Sequence, residues 1–412
     1  MFMKKAFSFI AQICVCTCLW SCGGTGEINS GIELIDIESA AQNPKEIFLS
    51  QYSSKINYIP LESSLQCLLG DASRLNIKLL NDIFCIWEDS RGTVLGSPVL
   101  CFNSNGKFLN IVGTHGRADN EFLTVCNVLT NDSKNLISII DNTRALVYSK
   151  NGVYKYNFEM LHNNIGNMAG AWLENDMVVF LKRKNFGAYL DDKNPRSDEL
   201  VVVDTTGNIL KKFDLGKHII KTFELVNQFG KGTGVQSKVA SLYESDNSIK
   251  IIRNNDIIYD LNVFDWKLTA QYKINFGKYG LSDKMRGAHF FYDNKSIIES
   301  EGFILMGVLF SPICFPDYNR EYTHSYFIYD KKSRTTKCIK FNKEDSATNF
   351  TNDIDGGINF YPQYLKDGKM YQLVNAIDFI EMAEKSTSAK MKEVAAQLTE
   401  ESNPVVVEVT LK

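Results

Sequence analysis

The chain has 412 residues, of which 44% are hydrophobic and 12% aromatic, a composition typical of a globular protein with a sizeable core. It carries 45 lysines and arginines against 48 acidic residues, for a formal net charge of −3. That balance supplies no basic stripe of the kind that phosphate contacts require, which argues against a nucleic acid partner.

The first 21 residues have the pattern of an export signal. Two lysines precede an apolar run over residues 6–20, which is too short to span a membrane but suits a signal peptide. The letters LWSC at 19–22, followed by a glycine-rich segment, resemble a bacterial lipobox. The resemblance implies that residues 1–21 are removed and that Cys22 carries the lipid. The alternatives are an ordinary signal peptide and an uncleaved anchor helix.

Residues 22–54 are expected to be the lipid anchor and a loosely ordered tether, because they are polar with only scattered isoleucines. At residue 55 the pattern changes, and Ile56–Leu61 alternates between apolar and polar residues, which predicts a strand. Pro60 places this strand at an edge or close to a strand end. We therefore expect the folded domain to span residues 55–412.

Short apolar runs separated by turn residues recur along the rest of the chain, with a period of roughly 45–65 residues and about four predicted strands per period. Asn105-Gly106, Asn151-Gly152 and Gly207 stand where the last two strands of a unit reverse direction. The pattern predicts an all-β fold, a six-bladed β-propeller. One or two β-sandwiches are the alternative.

One helical segment interrupts the strands, in the last blade. Apolar residues spaced by three and four predict an amphipathic helix near 376–399, weakened midway by the serines and threonine at 386–388. The run at 405–411 predicts a final strand, and 357–361 the first strand of the same blade. A strand so late in the chain predicts ring closure with Ile56–Leu61 as its partner.

At this point the chain resembles the six-bladed β-propeller lipoproteins of Gram-negative gut bacteria, which are similar to NHL-repeat propellers. The resemblance covers residues 55–412 and rests on IPLES at 59–63, VLCF at 99–102 with NGKF at 105–108, NDIDGG at 352–357 and NPV at 403–405. The chain departs from the family at 117–121, which reads RADNE where Gly-Pro-Gly-Glu is common. The resemblance implies the fold and an outer-membrane lipoprotein on the periplasmic or cell-surface side, and no particular activity.

Motifs of known chemistry are missing from the sequence. There is no nucleophile elbow, P-loop, HExxH or dinucleotide fingerprint, and no catalytic residue is predicted. The glycine-rich stretch 230–234 lacks the P-loop spacing and is expected to be a flexible loop between blades. Cysteine spacing matches no zinc site. Cys85 and Cys101, on neighbouring predicted strands, are open to a disulfide or to two buried thiols.

Candidate ligand-binding residues lie where the channel or the loops of one propeller face are expected. They are basic: His115, Arg117, Arg144, Arg183, Arg286 and His289. Because guanidinium groups bind carboxylates in a bidentate manner, such a set suits an acidic sugar or another carboxylate. The alternative for each is a solvated or acid-paired turn residue.

Asp353 and Asp355 are the candidate metal ligands, and Ca²⁺ is the one cofactor that the sequence raises. Their oxygens recur at alternate positions, as in a calcium loop. Turn chemistry explains the same residues without a metal.

These observations predict a lipid-anchored extracytoplasmic binding or scaffold module that uses a propeller face for a glycan, a peptide or an envelope protein, and they favour this over an enzyme. The alternative is a metal-dependent lyase or hydrolase with a channel site, which needs carboxylates converging around Asp353 and Asp355. A structural subunit of an envelope complex is a third hypothesis, and a large exposed apolar patch would support it. The fold alone does not choose among them.

Overall fold

The computed structural model describes residues 31–412 except for 91–95, 142–143, 160–168, 174–175, 185–194, 228–229, 239, 246–247, 254–255, 280–288, 292–296, 311–323, 344 and 346. For residues 219–238, 289–291, 309–310 and 324 it describes only the backbone.

The first half of the chain forms an N-terminal segment and three blades, each an antiparallel four-stranded sheet. The N-terminal segment contains β1 (Glu33–Asp36), α1 (Ile37–Ala41) and β2 (Ser53–Pro60). Blade one contains β3 (Leu75–Leu80), β4 (Ile83–Glu88), β5 (Val99–Phe102) and β6 (Phe108–Val112). Blade two contains β7 (Asn127–Asn131), β8 (Leu136–Ile140), β9 (Arg144–Ser149) and β10 (Tyr154–Glu159). Blade three contains β11 (Gly170–Trp172), β12 (Val178–Lys184), β13 (Ser197–Val203) and β14 (Ile209–Lys217).

The second half adds a hairpin and three further blades. The hairpin contains β15 (Ile219–Asn227) and β16 (Gly230–Lys238). Blade four contains β17 (Ser241–Glu244), β18 (Ile249–Arg253), β19 (Ile257–Asn262) and β20 (Lys267–Asn275). Blade five contains β21 (His289–Phe291), β22 (Ile297–Glu299), β23 (Phe303–Phe310), β24 (His324–Asp330) and β25 (Thr335–Cys338), and the short pair β26 (Phe341–Asn342) and β27 (Ala347–Thr348) follows. Blade six contains β28 (Tyr364–Lys366), β29 (Lys369–Val374), α2 (Ala376–Lys385), α3 (Ala389–Ala395) and β30 (Val405–Leu411).

This arrangement is a six-bladed β-propeller, as the sequence predicts, and the helical insertion lies in the last blade. The predicted helix is divided by Ser386-Thr387-Ser388, and the Ser388 hydroxyl caps α3 by accepting a hydrogen bond from Met391 N. The prediction that 357–361 forms the first strand of blade six is wrong, because Tyr364–Lys366 does so. Phe360 instead pairs with Phe350 in an isolated bridge outside the blade.

The glycine-rich stretch at 230–234 is also not a loop, contrary to its prediction. It forms half of β16 and pairs with β15 from Asn227↔Gly230 to Phe223↔Gly234. Backbone pairing alone satisfies the peptide groups of a strand, so a run of glycines can extend a hairpin without side-chain packing.

The core is divided among the interfaces between blades. Among the described residues, six buried apolar clusters form, one between each pair of neighbouring blades. A blade is therefore covered on both faces. This explains why every residue of Val99–Phe102 and of Val405–Val409 is buried. A strand exposed on one face would instead alternate between buried and exposed residues.

The N-terminal segment closes the ring. β2 is the outer strand of blade six and pairs antiparallel with β30, with Ile59 opposite Val406, which confirms the predicted closure. Upstream of it, β1 adds a parallel fifth strand to blade four, next to β20. Between them, Lys45 N donates to Cys338 O, and so the segment passes blade five. The folded part thus begins well before residue 55.

The connections fall on two faces of the propeller. Within each blade the strands alternate in direction, so the first-to-second and third-to-fourth turns share one face. We call it the short-turn face; its fully described turns lie at 81–82, 103–107, 132–135, 150–153, 204–208, 263–266, 300–302, 331–334 and 367–368. The other, the long-loop face, carries second-to-third and blade-to-blade connections, including 61–74, 113–126, 218–240 and 375–404.

Cys85 and Cys101 stand directly opposite each other on β4 and β5 as free thiols, each 0% exposed. The neighbouring Cys101 thiol and burial together raise the pKa of Cys85 well above its ordinary value. The structure thus realises the buried-thiol arrangement and keeps the two groups adjacent.

Candidate functional site

A charged group lies at the short-turn end of the channel, where the first strands of the blades meet. Lys78 on β3 of blade one reaches Glu244 at the end of β17 of blade four, with Nζ 2.9 Å from Oε2. Blades one and four are opposite in a ring of six, so this ion pair crosses the channel. We call Lys78, Glu244, Lys366 and Asp132 the channel cluster.

Lys366, at the end of β28, extends this cluster. Its Nζ lies 2.5 Å from Asp132 Oδ2 and donates to Leu79 O at 2.9 Å. Tyr364 lies on the same strand, and burial together with the neighbouring Glu244 carboxylate raises its pKa well above the ordinary value. The charges at this end of the channel are paired with one another, which makes the cluster a structural element of the ring.

A second charged group lies at the long-loop end of blades three and four, around the buried Asp198. This residue opens β13 and its side chain is 2% exposed. His218 Nε2 lies 3.0 Å from Asp198 Oδ2, and Arg183 Nε lies 3.5 Å from Oδ1. Ala240 N also donates to Oδ2 at 2.6 Å. Because His218 and Ala240 flank the β15–β16 hairpin, Asp198 holds both ends of that insertion.

Arg253 joins this group from the end of β18. Gly216 pairs with Asp198 across β13 and β14 and has a φ of 88°. A Cβ at Gly216 would lie 2.9 Å from Arg253 Nη2, so the guanidinium lies directly over the glycine. We call Arg183, Asp198, His218 and Arg253 the Asp198 cluster. One guanidinium group and an imidazole thus contact the Asp198 carboxylate, and a second guanidinium lies over the glycine that pairs with Asp198.

A third group lies on the long-loop face between blades one and two. The Arg144 guanidinium donates to three backbone carbonyls of the preceding loop, those of Ala118, Asp119 and Glu121, at 3.3, 3.3 and 2.5 Å. Tyr148 OH donates to Asn120 O at 2.9 Å. These bonds hold the loop at 113–126 against blade two.

The loop held in this way presents two of the predicted ligand residues. The exposed His115 packs edge-on against the buried Phe122, with ring centroids 5.9 Å apart. Arg117 is exposed two residues further on. Arg144 is therefore a positioning residue, whereas His115 and Arg117 can contact a ligand.

The structure distributes the predicted ligand residues over two places on the long-loop face. His115, Arg117 and Arg144 lie together, and Arg183 lies in the Asp198 cluster. Arg286 lies outside the described residues, and His289 is described only as backbone in β21. Whether these residues bind a ligand stays a prediction.

Sequence reasoning did not find Asp198, His218 or Arg253. A signal was available for the first of these, because Arg183 and Asp198 are direct partners in the β12–β13 register. Pairing those two strands from sequence would have placed an acid beside the predicted arginine.

Asp353 and Asp355 face different partners. Asp353 accepts hydrogen bonds from Ser50 N at 2.8 Å and Ser50 Oγ at 2.5 Å. Burial favours the neutral acid, but the Ser50 hydrogen bonds outweigh it and lower the pKa of Asp353.

Asp355 has protein donors on both oxygens. They come from Tyr58 OH at 3.1 Å, Asn352 Nδ2 at 2.8 Å, Gly357 N at 3.0 Å and Ser388 Oγ at 2.6 Å. The described residues contain no group of three or more His, Cys, Asp or Glu side chains placed to hold a metal. The calcium site stays a prediction, and the geometry provides hydrogen-bond donors where a metal would need further oxygens.

In the described part of the chain, no helix combines the length and the apolar character needed to cross a membrane.

The fold and its two charged ends define this chain as a six-bladed β-propeller with a loop-rich face and a short-turn face. A family described as a domain of unknown function, DUF4934, matches residues 32–410, and the chain belongs to that family. No curated protein matches it.

Solved structures resemble the chain at low sequence identity. A Bacteroides fragilis protein, by its name an exported protein, is 16% identical with a TM-score of 0.61, over 92% of this chain and 99% of its own. A DUF4221 family member from Bacteroides vulgatus is 10% identical with a TM-score of 0.37, over 87% of this chain and 97% of its own. The first likeness shows a shared fold, and the second is too weak to carry an argument.

Proposed function

We propose that this protein is a lipid-anchored extracytoplasmic binding module whose long-loop face takes a glycan, a peptide or an envelope protein partner. The observation that carries the proposal is the unequal distribution of inserted structure. The β15–β16 hairpin, the α2–α3 insertion and the clamped loop at 113–126 all lie on one face. Binding residues are disproportionately found on loops that a rigid scaffold holds in place.

The location rests on the N-terminal pattern. The lipobox-like segment makes Cys22 the anchor of an outer-membrane lipoprotein, on the periplasmic or cell-surface side. The name of the Bacteroides fragilis neighbour, an exported protein, agrees with export of this chain. We also propose that the blades are NHL-like repeats and that the protein binds no nucleic acid.

The ligand chemistry follows from the basic residues on this face. His115 and Arg117 are exposed on a loop that Arg144 fixes, and the Arg183 side chain in the Asp198 cluster is 24% exposed. Guanidinium and imidazole donors fit the oxygens of a carboxylate, as in an acidic sugar or an acidic peptide. We therefore expect acidic ligands to bind better than neutral ones of the same size.

The test uses the soluble protein without residues 1–22, screened against paired acidic and neutral glycans and peptides and followed by calorimetry on each hit. We expect Arg117→Ala to weaken binding of an acidic ligand by about tenfold, which is about 1.4 kcal/mol. Arg183→Lys keeps the charge but removes the planar fork, and it tests the second group of residues.

Lys150→Ala is the matched control, because Lys150 is an exposed cation on the short-turn face. Binding that drops equally in Lys150→Ala and Arg117→Ala would show a diffuse charge effect and contradict the proposed site. Equal binding of acidic and neutral ligands would contradict the proposed ligand class.

The alternative, a metal-dependent lyase or hydrolase, receives no specific support from the described residues. Its two carboxylates, Asp353 and Asp355, accept hydrogen bonds from separate sets of protein donors.

A further inference from the structure

We propose that the short-turn face is the membrane-proximal side of the propeller and that the long-loop face points away from the bilayer. This orientation rests on the proposed lipid anchor at Cys22. It follows from the place and the direction in which the chain enters the fold.

The direction is given by strand pairing. β1 lies parallel to β20, with Glu33 opposite Tyr272 and Asp36 opposite Asn275. β20 begins after the turn at 263–266 on the short-turn face and ends before the connection to blade five on the long-loop face. The chain therefore runs toward the long-loop face in β1, and it approaches β1 from the side of the short turns.

The place of entry is fixed by side chains of a short turn. Glu33 Oε1 lies 3.2 Å from Arg334 Nη2, and Arg334 belongs to the turn at 331–334 of blade five. Glu33 Oε2 accepts a hydrogen bond from Tyr329 OH at 2.7 Å. The Glu33 side chain thus lies at the short-turn rim of blade five, whereas on blade four β1 begins beside Tyr272, five residues into β20.

The entry point is also held firmly. Ile35 and Ile37 are each 0% exposed in the cluster between blades four and five. Asp36 N donates to Thr336 Oγ1 at 3.0 Å, and Asn275 Nδ2 donates to Asp36 Oδ1 at 3.1 Å. A tether pulling on Glu33 therefore acts on the body of the propeller, because β1 cannot swing free without losing this burial.

The tether between the proposed anchor and β1 has a limited reach. Glu33 follows Cys22 by 11 positions. A chain of that length spans at most ~40 Å when fully extended. A tether of this reach, which leaves β1 on the side away from the long-loop face and beside the turn at 331–334, brings the short-turn rim closest to the lipid. Turning the long-loop face to the membrane would require the tether to reverse direction and run back along the side of the blade.

The experiment measures energy transfer from single fluorescent labels to acceptor lipids in vesicles that carry the lipidated full-length protein. Two labels mark the ends of β20 in one blade: Phe264→Cys, at a side chain 84% exposed on the short-turn face, and Lys278→Cys, exposed beyond the other end. Leu65→Cys, at a side chain 95% exposed, marks the long-loop face elsewhere. Cys126→Ser and Cys314→Ser remove other thiols that could react, since the remaining described cysteines are buried.

A nine-residue strand separates its ends by up to ~30 Å. We therefore expect transfer from position 264 to exceed that from positions 278 and 65 by roughly twofold or more. Equal transfer, or a reversed order, would overturn the orientation.

Flotation of the Cys22 protein with vesicles, compared with Cys22→Ser, tests the anchor separately. Loss of flotation in Cys22→Ser alone supports the anchor. Absence of flotation in both contradicts the anchor and this inference together. Flotation with a reversed label order contradicts the orientation alone.

Discussion

The two faces of the propeller are built by the same six sheets, yet the chain uses them differently. The short-turn face is made of tight reversals, several with a residue at positive φ, such as Asn81, Gly106, Gly152 and Gly207. The long-loop face carries the hairpin, the helices and the clamped loop. Turn geometry dictates the residues of the first face, whereas the second face has room for residues that the fold itself does not require.

The charged clusters at the two ends show the same difference. In the channel cluster, each described lysine has an acidic partner from another blade, and Lys78 and Glu244 join opposite sides of the ring. In the Asp198 cluster, a single carboxylate holds an insertion in place. The first cluster joins blades to one another, and the second attaches an added element to them.

The largest effect is expected at Asp198. Asp198→Ala removes the only acid of the Asp198 cluster and leaves the Arg183 guanidinium and Ala240 N without that acceptor. Removing one partner of a buried ion pair costs about 3–5 kcal/mol of unfolding free energy. Urea denaturation of the variant measures this loss. Asp82→Ala, at an exposed aspartate in the 81–82 turn of the short-turn face, is the control and should leave the midpoint unchanged. A loss no larger than that of the control would show that Asp198 does not hold the hairpin.

A smaller effect is expected at high pH from Tyr148, which supports the 113–126 loop. Burial raises the pKa of Tyr148 to about 12, above the ordinary value of 10.0. The unfolded chain loses this proton first, so the contribution of Tyr148 to stability is complete below pH 10 and is lost as the pH rises toward 12. The loss is about 1.4 kcal/mol for each unit of pKa difference. Between pH 8 and pH 12, the free energy of unfolding should therefore fall less steeply with pH for Tyr148→Phe than for the unchanged protein. Identical slopes for the two proteins would contradict the raised pKa of Tyr148.

The channel cluster should give a weaker and separable effect. Lys78→Met leaves Glu244 without its partner across the ring, and we expect a loss of about 1–2 kcal/mol, because both side chains are only partly buried. The double variant Lys78→Met with Glu244→Gln removes both charges and should recover part of it. A double-mutant cycle by urea denaturation measures the coupling. Purely additive effects would mean that the ion pair does not join blades one and four.

The smallest effect is expected on metal removal. The calcium hypothesis predicts that a chelator lowers the melting temperature, whereas the hydrogen bonds on Asp353 and Asp355 lead us to expect no shift. Thermal melting with and without chelator, alongside elemental analysis, separates the two. Stoichiometric calcium together with a chelator-induced drop would restore the metal site and with it the enzymatic alternative.

Local signals in the sequence predicted much of the short-turn face. Asn105-Gly106 and Asn151-Gly152 reverse third and fourth strands as expected, with φ of 78° and 79° at the two glycines. A turn depends on a few adjacent residues, and its requirement for positive φ can be read directly from the sequence. The closing pair of β2 and β30 was predictable for a related reason, since an unpaired edge strand needs a partner.

The parts that were missed depend on contacts between distant segments. The inner strand of blade six lies at Tyr364–Lys366, where only three residues pair and the apolar pattern is too short to identify. β1 falls within the predicted tether because its burial comes from blades four and five, which its own composition does not reveal. The Asp198 cluster combines residues from four separate segments, and periodicity within any one of them carries no sign of the others.

The pairing of β2 with β30 has a consequence for the synthesis of the protein. Ile59 and its partner Val406 are made at opposite ends of translation. At 5–20 residues per second, the earlier strand waits roughly 20–70 s for the later one to emerge. Until then blade six has an open edge, and the ring cannot be completed by any shorter product. A ribosome that stops early therefore releases a chain with exposed strand edges, a form prone to aggregation and open to proteolysis.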